Sequence, residues 1–289
     1  MATRIEPHLT SGGLLKMYQA LWAPYYDSVL RLLGSTGVLL PMGDPHHGQP
    51  NATTFTTKGA QQASFTWSEA PGSFDTALDL TDPDSFQGIM PVLSLNGTDE
   101  EADSPDAAFW SHGDGATDSA FSLAAWVKAS DFGAVRHILT KWDETTASQL
   151  REWKWYLEAD ERITFAIYDE SLNVQPNRTT DTGITFDQWQ HLALTYDGTG
   201  GATSMTGVTM YLNGAVQAST GAEAGTYVAM EAQATPVNLG FKIGTGGTLA
   251  LPFDGVLAGA ALAPLHTSKE LSVNDVKALY DLGRAALGL

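Results

Sequence analysis

The 289-residue chain contains no cysteine. That excludes a disulfide framework, a thiolate metal site and a cysteine nucleophile. Charge is also sparse: Asp, Glu, Lys and Arg make up 17% of the residues, below the usual quarter. Bases are the scarcer sign, 15 against 33 acids, which leaves a formal charge of -18. Such a surface repels phosphate backbones, so no direct nucleic-acid binding is expected. No run reaches about 18 uninterrupted apolar residues, so no membrane insertion is expected. The opening residues, Met1 to His8, show no basic stretch leading into an apolar run, the pattern of a secretory signal. Neither Gly-x-Ser-x-Gly nor His-Glu-x-x-His occurs.

What is present is apolar residues, 43% of the chain, with 29 glycines and many threonines. That is enough for a full core built from short strands and tight turns. Strands are expected at Val38–Met42, Thr53–Thr57, Val92–Leu95, Phe121–Lys128, Ile138–Trp142, Glu152–Leu157, Ile163–Tyr168, Trp189–Tyr196, Val208–Leu212, Val237–Ile243 and Phe253–Ala263. Asn96-Gly97, Asp197-Gly198 and Asn213-Gly214 are turn signals between them. This rhythm fits an all-β sandwich rather than alternating strands and helices. In Phe121–Lys128, Trp126 falls on the face opposite Phe121, Leu123, Ala125 and Val127, so that face is expected either to be covered too or to bind something.

Two segments have helical spacing. Leu14, Tyr18, Leu21, Tyr25 and Val29 recur at three- and four-residue steps, and Trp22 widens the apolar face. Pro24 interrupts the pattern. The segment reads either as a helix covering one end of the sandwich or as an arm that docks on a neighbouring subunit. Near the C-terminus, Ser272 and Asp275 have capping-box spacing, Leu271 and Val276 are placed as a hydrophobic staple, and Gly283 is a candidate stop. The expected organisation is a helical arm over 1–35 and one sandwich over 36–289.

Four segments, Phe121–Lys128, Trp189–Gly198, Met210–Gly214 and Phe253–Val256 with the downstream Leu271–Tyr280, resemble in order and spacing the laminin-G-like, concanavalin-A-like jelly roll in its pentraxin-related branch. The resemblance spans roughly residues 90–289. It implies a two-sheet antiparallel jelly-roll sandwich, with an N-terminal helix and a short C-terminal helix added. Ala258 and Gly259 depart from the acidic residues often found after the Phe-x-Gly strand, and Pro264–Lys269 reads as an insertion. Members of this family bind glycans or proteins, sit as modules on secreted enzymes, and occur in phage and virus structural proteins.

Candidate sites follow from residue type. Trp153 and Trp155 share one strand face, while Lys154, Tyr156 and Glu158 share the other. With Trp110 and Trp142 at strand ends, Lys154, Tyr156 and Glu158 form a candidate glycan or partner contact. Asp103, Asp106, Asp114 and Asp118 lie in an acidic loop whose oxygens would suit calcium, the one cofactor entertained. Asp44 with His46 and His47 is a weaker metal candidate, because adjacent extended residues point apart. Glu158 and Asp160 have the spacing of a glycosidase pair, but Arg162 occupies the next position on that face, so a solvated turn is expected and no enzyme. The leading reading is a structural surface protein of a virus or phage particle, a capsid decoration or fibre component made in the cytoplasm. Its partners would be its own copies or other particle proteins, met through Leu14, Tyr18, Leu21, Trp22, Tyr25 and Val29, and surface glycans. The alternative is a soluble or secreted carbohydrate-binding lectin-like module acting outside the cell.

Overall fold

A computed structural model describes residues 27–39, 54–59, 61–67, 93–130, 133–257, 265–287 and 289. Leu14, Tyr18, Leu21, Trp22, Tyr25 and the Asp44–His47 turn lie outside the described residues.

Two antiparallel sheets pack face to face. The first runs Ala215–Val216, Val208–Leu212, Gln190–Tyr196, Phe121–Ala129, Leu265–Thr267, Gly37–Leu39 and Lys58–Gly59, with Asp254–Leu257 joining Phe121–Ala129 to Leu93–Asn96. The second runs Ser219–Ala222, Asn177–Gly183, Arg162–Ile167, Leu150–Leu157, Arg136–Asp143, Val237–Leu239, Ala102–Ser104, Ser64–Trp67 and Thr54–Thr56. The sandwich expected from the turn rhythm, and the jelly roll that the resemblance implies, are the fold.

Aromatic rings fill the space between the sheets. Phe121 contacts Trp153, Phe165 and Tyr196 and stacks on His112 at 4.0 Å between centroids. Trp126 is covered by the C-terminal helix, Val273–Leu287, whose Tyr280 stacks on the indole at 5.6 Å. Such a pair contributes about 1 kcal/mol beyond its burial. Ser272 and Asp275 form the expected box: Ser272 N donates to Asp275 Oδ2 at 3.0 Å and Asp275 N donates to Ser272 Oγ at 3.2 Å. Asn213 and Gly214 turn with φ of 51° and 75°, and a side chain at Gly214 would meet the Tyr280 ring, so this turn lets the helix seat.

Several expectations are corrected. Gly283 does not end the helix, which continues to Leu287; Gly283 is buried instead. Ala102–Ser104, within the expected acidic loop, is a strand between Val237–Leu239 and Ser64–Trp67. The expected insertion contains Leu265–Thr267, a strand paired to the central Phe121–Ala129. Asn177–Gly183 has no apolar alternation, yet it is a strand because backbone partners wait on both sides. Helical residues 27–33 bury Val29 and Leu33 in the core of their own chain, and Lys269 Nζ and Thr267 Oγ1 donate to the carbonyls of Leu32 and Leu33. Val29 therefore packs in cis.

One ion pair lies wholly inside. Lys141 Nζ sits 2.7 Å from Glu152 Oε1 and 2.8 Å from Asp106 Oδ1, and donates to the carbonyls of Gln233 and Thr235 at 2.5 and 3.2 Å. Glu152 Oε1 also accepts from Ser111 Oγ and Gln233 N. Burial pushes the Glu152 carboxyl up to about 7 despite the pull of Lys141. The strand register explains how an even-numbered residue reaches the interior: Lys141 faces Trp153 but Trp142 faces Arg151, so Glu152 is the extra residue of a β-bulge.

Lys141→Met is expected to cost about 3 kcal/mol in urea unfolding, because Glu152 is left without its counter-ion, and adding Glu152→Leu is expected to recover most of it. A double variant no more stable than the single one would mean that the pair does not act as a unit.

Acid should also unfold the protein. His112, His137, His191 and His266 are buried, and desolvation lowers all four, His191 and His266 to about 3. The unfolded chain takes up protons near 6.5 that the fold refuses, so stability is lost as pH falls from 6.5 towards 3. Glu152 works the other way: its contribution is full below 4.5 and is lost as pH rises through about 7. Four groups outweigh one, so Tm is expected to fall between pH 7 and pH 4.5; a rising Tm would show Glu152 dominating.

Candidate functional site

The strand Leu150–Leu157 sends Trp153, Trp155 and Leu157 into the core. Lys154 and Tyr156 therefore face outward on the second sheet. Its neighbours set what surrounds them. Tyr156 lies beside His137 and Thr164, and Thr164 beside Thr179; Lys154 lies beside Thr140 and Ala166, and Ala166 beside Asn177. Small or hydroxylated residues thus flank Lys154 on both sides, whereas Tyr156 has Thr164 on one side and the His137 ring on the other.

Trp142 joins them at the end of Arg136–Asp143. It is buried yet stands apart from the central core cluster, because it lies under this outer face. The Lys154 ammonium sits 4.2 Å from the Trp142 ring centre and 5.4 Å from that of Tyr156, a cation–π placement. Among the described residues, no hydrogen bond or ion pair reaches Lys154 Nζ, although the residue is only 9% exposed. Desolvation, then the charge of Lys242, lowers its pKa to about 8.

The cations on either side of it are matched. Lys242 Nζ lies 2.5 Å from Glu144 Oε2, whose Oε1 accepts from Trp142 Nε1 at 2.8 Å. Arg151 grips Glu170 with two bonds, 2.9 and 2.6 Å, and lies 3.8 Å over the Tyr168 ring. Glu231 holds Glu170 in place by accepting from the backbone N–H groups of Glu170 and Ser171. Glu158 Oε1 accepts from Thr164 Oγ1 at 3.1 Å.

The structure thus puts Lys154, Tyr156 and Glu158 together, as the strand alternation predicts, and adds Trp142 from the neighbouring strand, buried rather than exposed. Trp110 does not join them. It is fully buried in the core against Phe109 and His266, and its carbonyl accepts from Trp153 Nε1. A short 3-10 turn, Ala108–Trp110, swings the indole inward. The four aspartates do not converge either. Asp106 is taken by Lys141, Asp114 caps its own turn at Ala116 and Thr117, and Asp118 accepts from Tyr196 Oη, Tyr227 Oη and Met230 N. Asp103 sits on a strand beside Asn238 and Thr66. Among the described residues, no three Asp, Glu or His side chains group as metal ligands would. Glu158 to Glu161 is a hairpin tip, with Glu161 at φ 73° and Asp160 ion-paired to exposed Arg162.

Strict alternation misses Arg151, which it would place with Trp153 on the core face; the bulge at Glu152 turns it outward. Glu144, Tyr168 and Lys242 come from other strand ends, and only the fold brings them here.

Keeping an unpaired ammonium nine-tenths buried costs stability. Lys154→Met is therefore expected to stabilise the protein by about 1 kcal/mol at pH 7, since the desolvation it relieves exceeds the cation–π attraction it removes. The gain should shrink as pH rises from 8 towards 10.5, where the folded lysine is already neutral. Urea melts at pH 7 and pH 10 check both parts; a destabilised variant at pH 7 would make Lys154 a structural residue.

Residues 96–265 match the laminin G model of the concanavalin A-like lectin/glucanases superfamily. No curated protein sequence matches the chain. Among solved structures, the botulinum neurotoxin DC binding domain in complex with rat synaptotagmin II is similar at 11% identity over 86% of this chain and 52% of that one, with a TM-score of 0.54. The same domain in complex with SialylT gives 11% identity, 85% and 51% coverage and a TM-score of 0.53. The CBM40 of the Ruminococcus gnavus IT-sialidase, bound to α2,3-sialyllactose, gives 17% identity, 57% and 84% coverage and a TM-score of 0.44. At these identities the likeness is one of fold. The matched segment and the two packed antiparallel sheets agree: the chain belongs to the concanavalin A-like lectin/glucanases superfamily.

Proposed function

We propose that this protein is a carbohydrate-binding, lectin-like module that works outside the cell through the outer face of its second sheet. The observation that carries the reading is the cluster of Trp142, Lys154, Tyr156 and Glu158, where two buried aromatic rings hold a cation and the half-buried Glu158 stands beside them. Sugars need fixed donors, acceptors and charges that match their hydroxyl and acidic groups. Asn177 and Thr179, part exposed on the next strand, extend the polar surface. Fold relatives in complex with SialylT support a glycan role for such a sandwich. The particle-surface reading rests on the N-terminal arm, and the described end of that arm is spent on its own core. Binding rather than catalysis is proposed, because the Glu158 and Asp160 pair stands at a hairpin tip with Asp160 committed to Arg162.

A glycan array on the full chain, followed by calorimetry on the best ligand, tests this. Glu158→Ala and Tyr156→Ala are each expected to weaken binding about tenfold or more, the worth of one hydrogen bond to a charged group and of the ring that holds Lys154 in place. A silent array, or unchanged affinity in both variants, would remove the proposal.

A further inference from the structure

We infer that the site around Lys154 takes a glycan by a carboxylate, that is, an otherwise neutral oligosaccharide carrying one acidic sugar whose carboxylate pairs with the Lys154 ammonium. The inference rests on the glycan reading above and names the ligand class within it.

The argument is one of matched and unmatched charge. Lys141, Arg151 and Lys242 each have a carboxylate within 2.8 Å. Lys154, set among them and nine-tenths buried, has none within ion-pair distance among the described residues. The acids nearest in charge are already engaged: Glu144 uses both oxygens on Trp142 and Lys242, and Glu158 Oε1 accepts from Thr164. The strand neighbours offer no anion, since Thr140 and Ala166 flank Lys154 in register. The rings of Trp142 and Tyr156 hold the ammonium in a fixed place. A buried charge is kept when something completes it. Here the missing partner is a single anion.

The surroundings narrow the anion. Glu144 and Glu158 stand close enough to act on Lys154 electrostatically, so a second negative charge beside the first would be repelled. The chain's -18 charge adds to that repulsion and disfavours polyanions such as heavily sulfated chains. Glu158, half-buried and engaged through Oε1, is the carboxylate left to accept a hydrogen bond from a neutral sugar hydroxyl. One carboxylate among hydroxyls satisfies all three constraints.

The test is calorimetry on the full chain with probes that differ only by the acid. Lactose is compared with 3′-sialyllactose, and a glucose-terminated disaccharide with its glucuronate-terminated counterpart. A sulfated lactose provides the other anion. The expected result is at least tenfold tighter binding of the acidic member of one pair. That preference should vanish in Lys154→Met and persist in Lys154→Arg, with near-ultraviolet circular dichroism showing that both variants fold. Equal affinity for acidic and neutral members overturns the inference while leaving the glycan reading standing, as does a preference that survives Lys154→Met. Tighter binding of the sulfated probe overturns the choice of carboxylate. Binding of no glycan at all overturns the inference together with the reading it rests on.

Discussion

The ion pair between Lys141 and Glu152 is the constraint from which the candidate site follows. The pair sits in the core, where leaving either charge alone would cost several kcal/mol. Glu152 can reach Lys141 only because the strand bulges there. The bulge puts Glu152 and Trp153 towards the interior and resets the alternation on either side. Arg151 therefore turns out to meet Glu170 and Tyr168, on the same face as Lys154. A buried charge thus fixes which side chains a surface presents.

The same lysine bears on the calcium entertained for the acidic loop. Its ammonium is ringed by Asp106, Glu152 and the carbonyls of Gln233 and Thr235, an all-oxygen shell of the kind that also suits a hard metal ion. Lys141 ties together three stretches distant in sequence, as a bound cation would, and takes Asp106 out of any metal set. Asp118 is likewise spent, as the acceptor of two tyrosine hydroxyls and a backbone N–H. Acidic composition alone does not separate carboxylates that await a ligand from those that already have one.

Two imidazoles show how polar groups are accommodated in this aromatic core. His112 and His266 approach at 2.6 Å between their Nε2 atoms. Burial keeps both neutral, so one must donate and the other accept through opposite tautomers. His191 takes another course: its Nδ1 has no hydrogen-bond partner among the described residues, and the ring packs tilted against both members of the Trp126–Tyr280 stack.

Much was legible because it is local. The alternation in Phe121–Lys128 put Trp126 on the face opposite the core, Asn213-Gly214 showed the turn, and Ser272 with Asp275 showed where the last helix starts. The alternation of Trp153 and Trp155 against Lys154 and Tyr156 correctly divided core from outer face. These depend on backbone period and turn chemistry, which a few adjacent residues specify. What the sequence could not supply was long-range. The strand Asn177–Gly183 exists through its partners, the Glu152 bulge through a lysine on another strand, and the burial of Trp110 through a turn that aims it at His266. Whether a charged side chain is matched or waiting was decided only in three dimensions, because the answer lies in residues that the fold, and not the chain order, brings within about 3 Å.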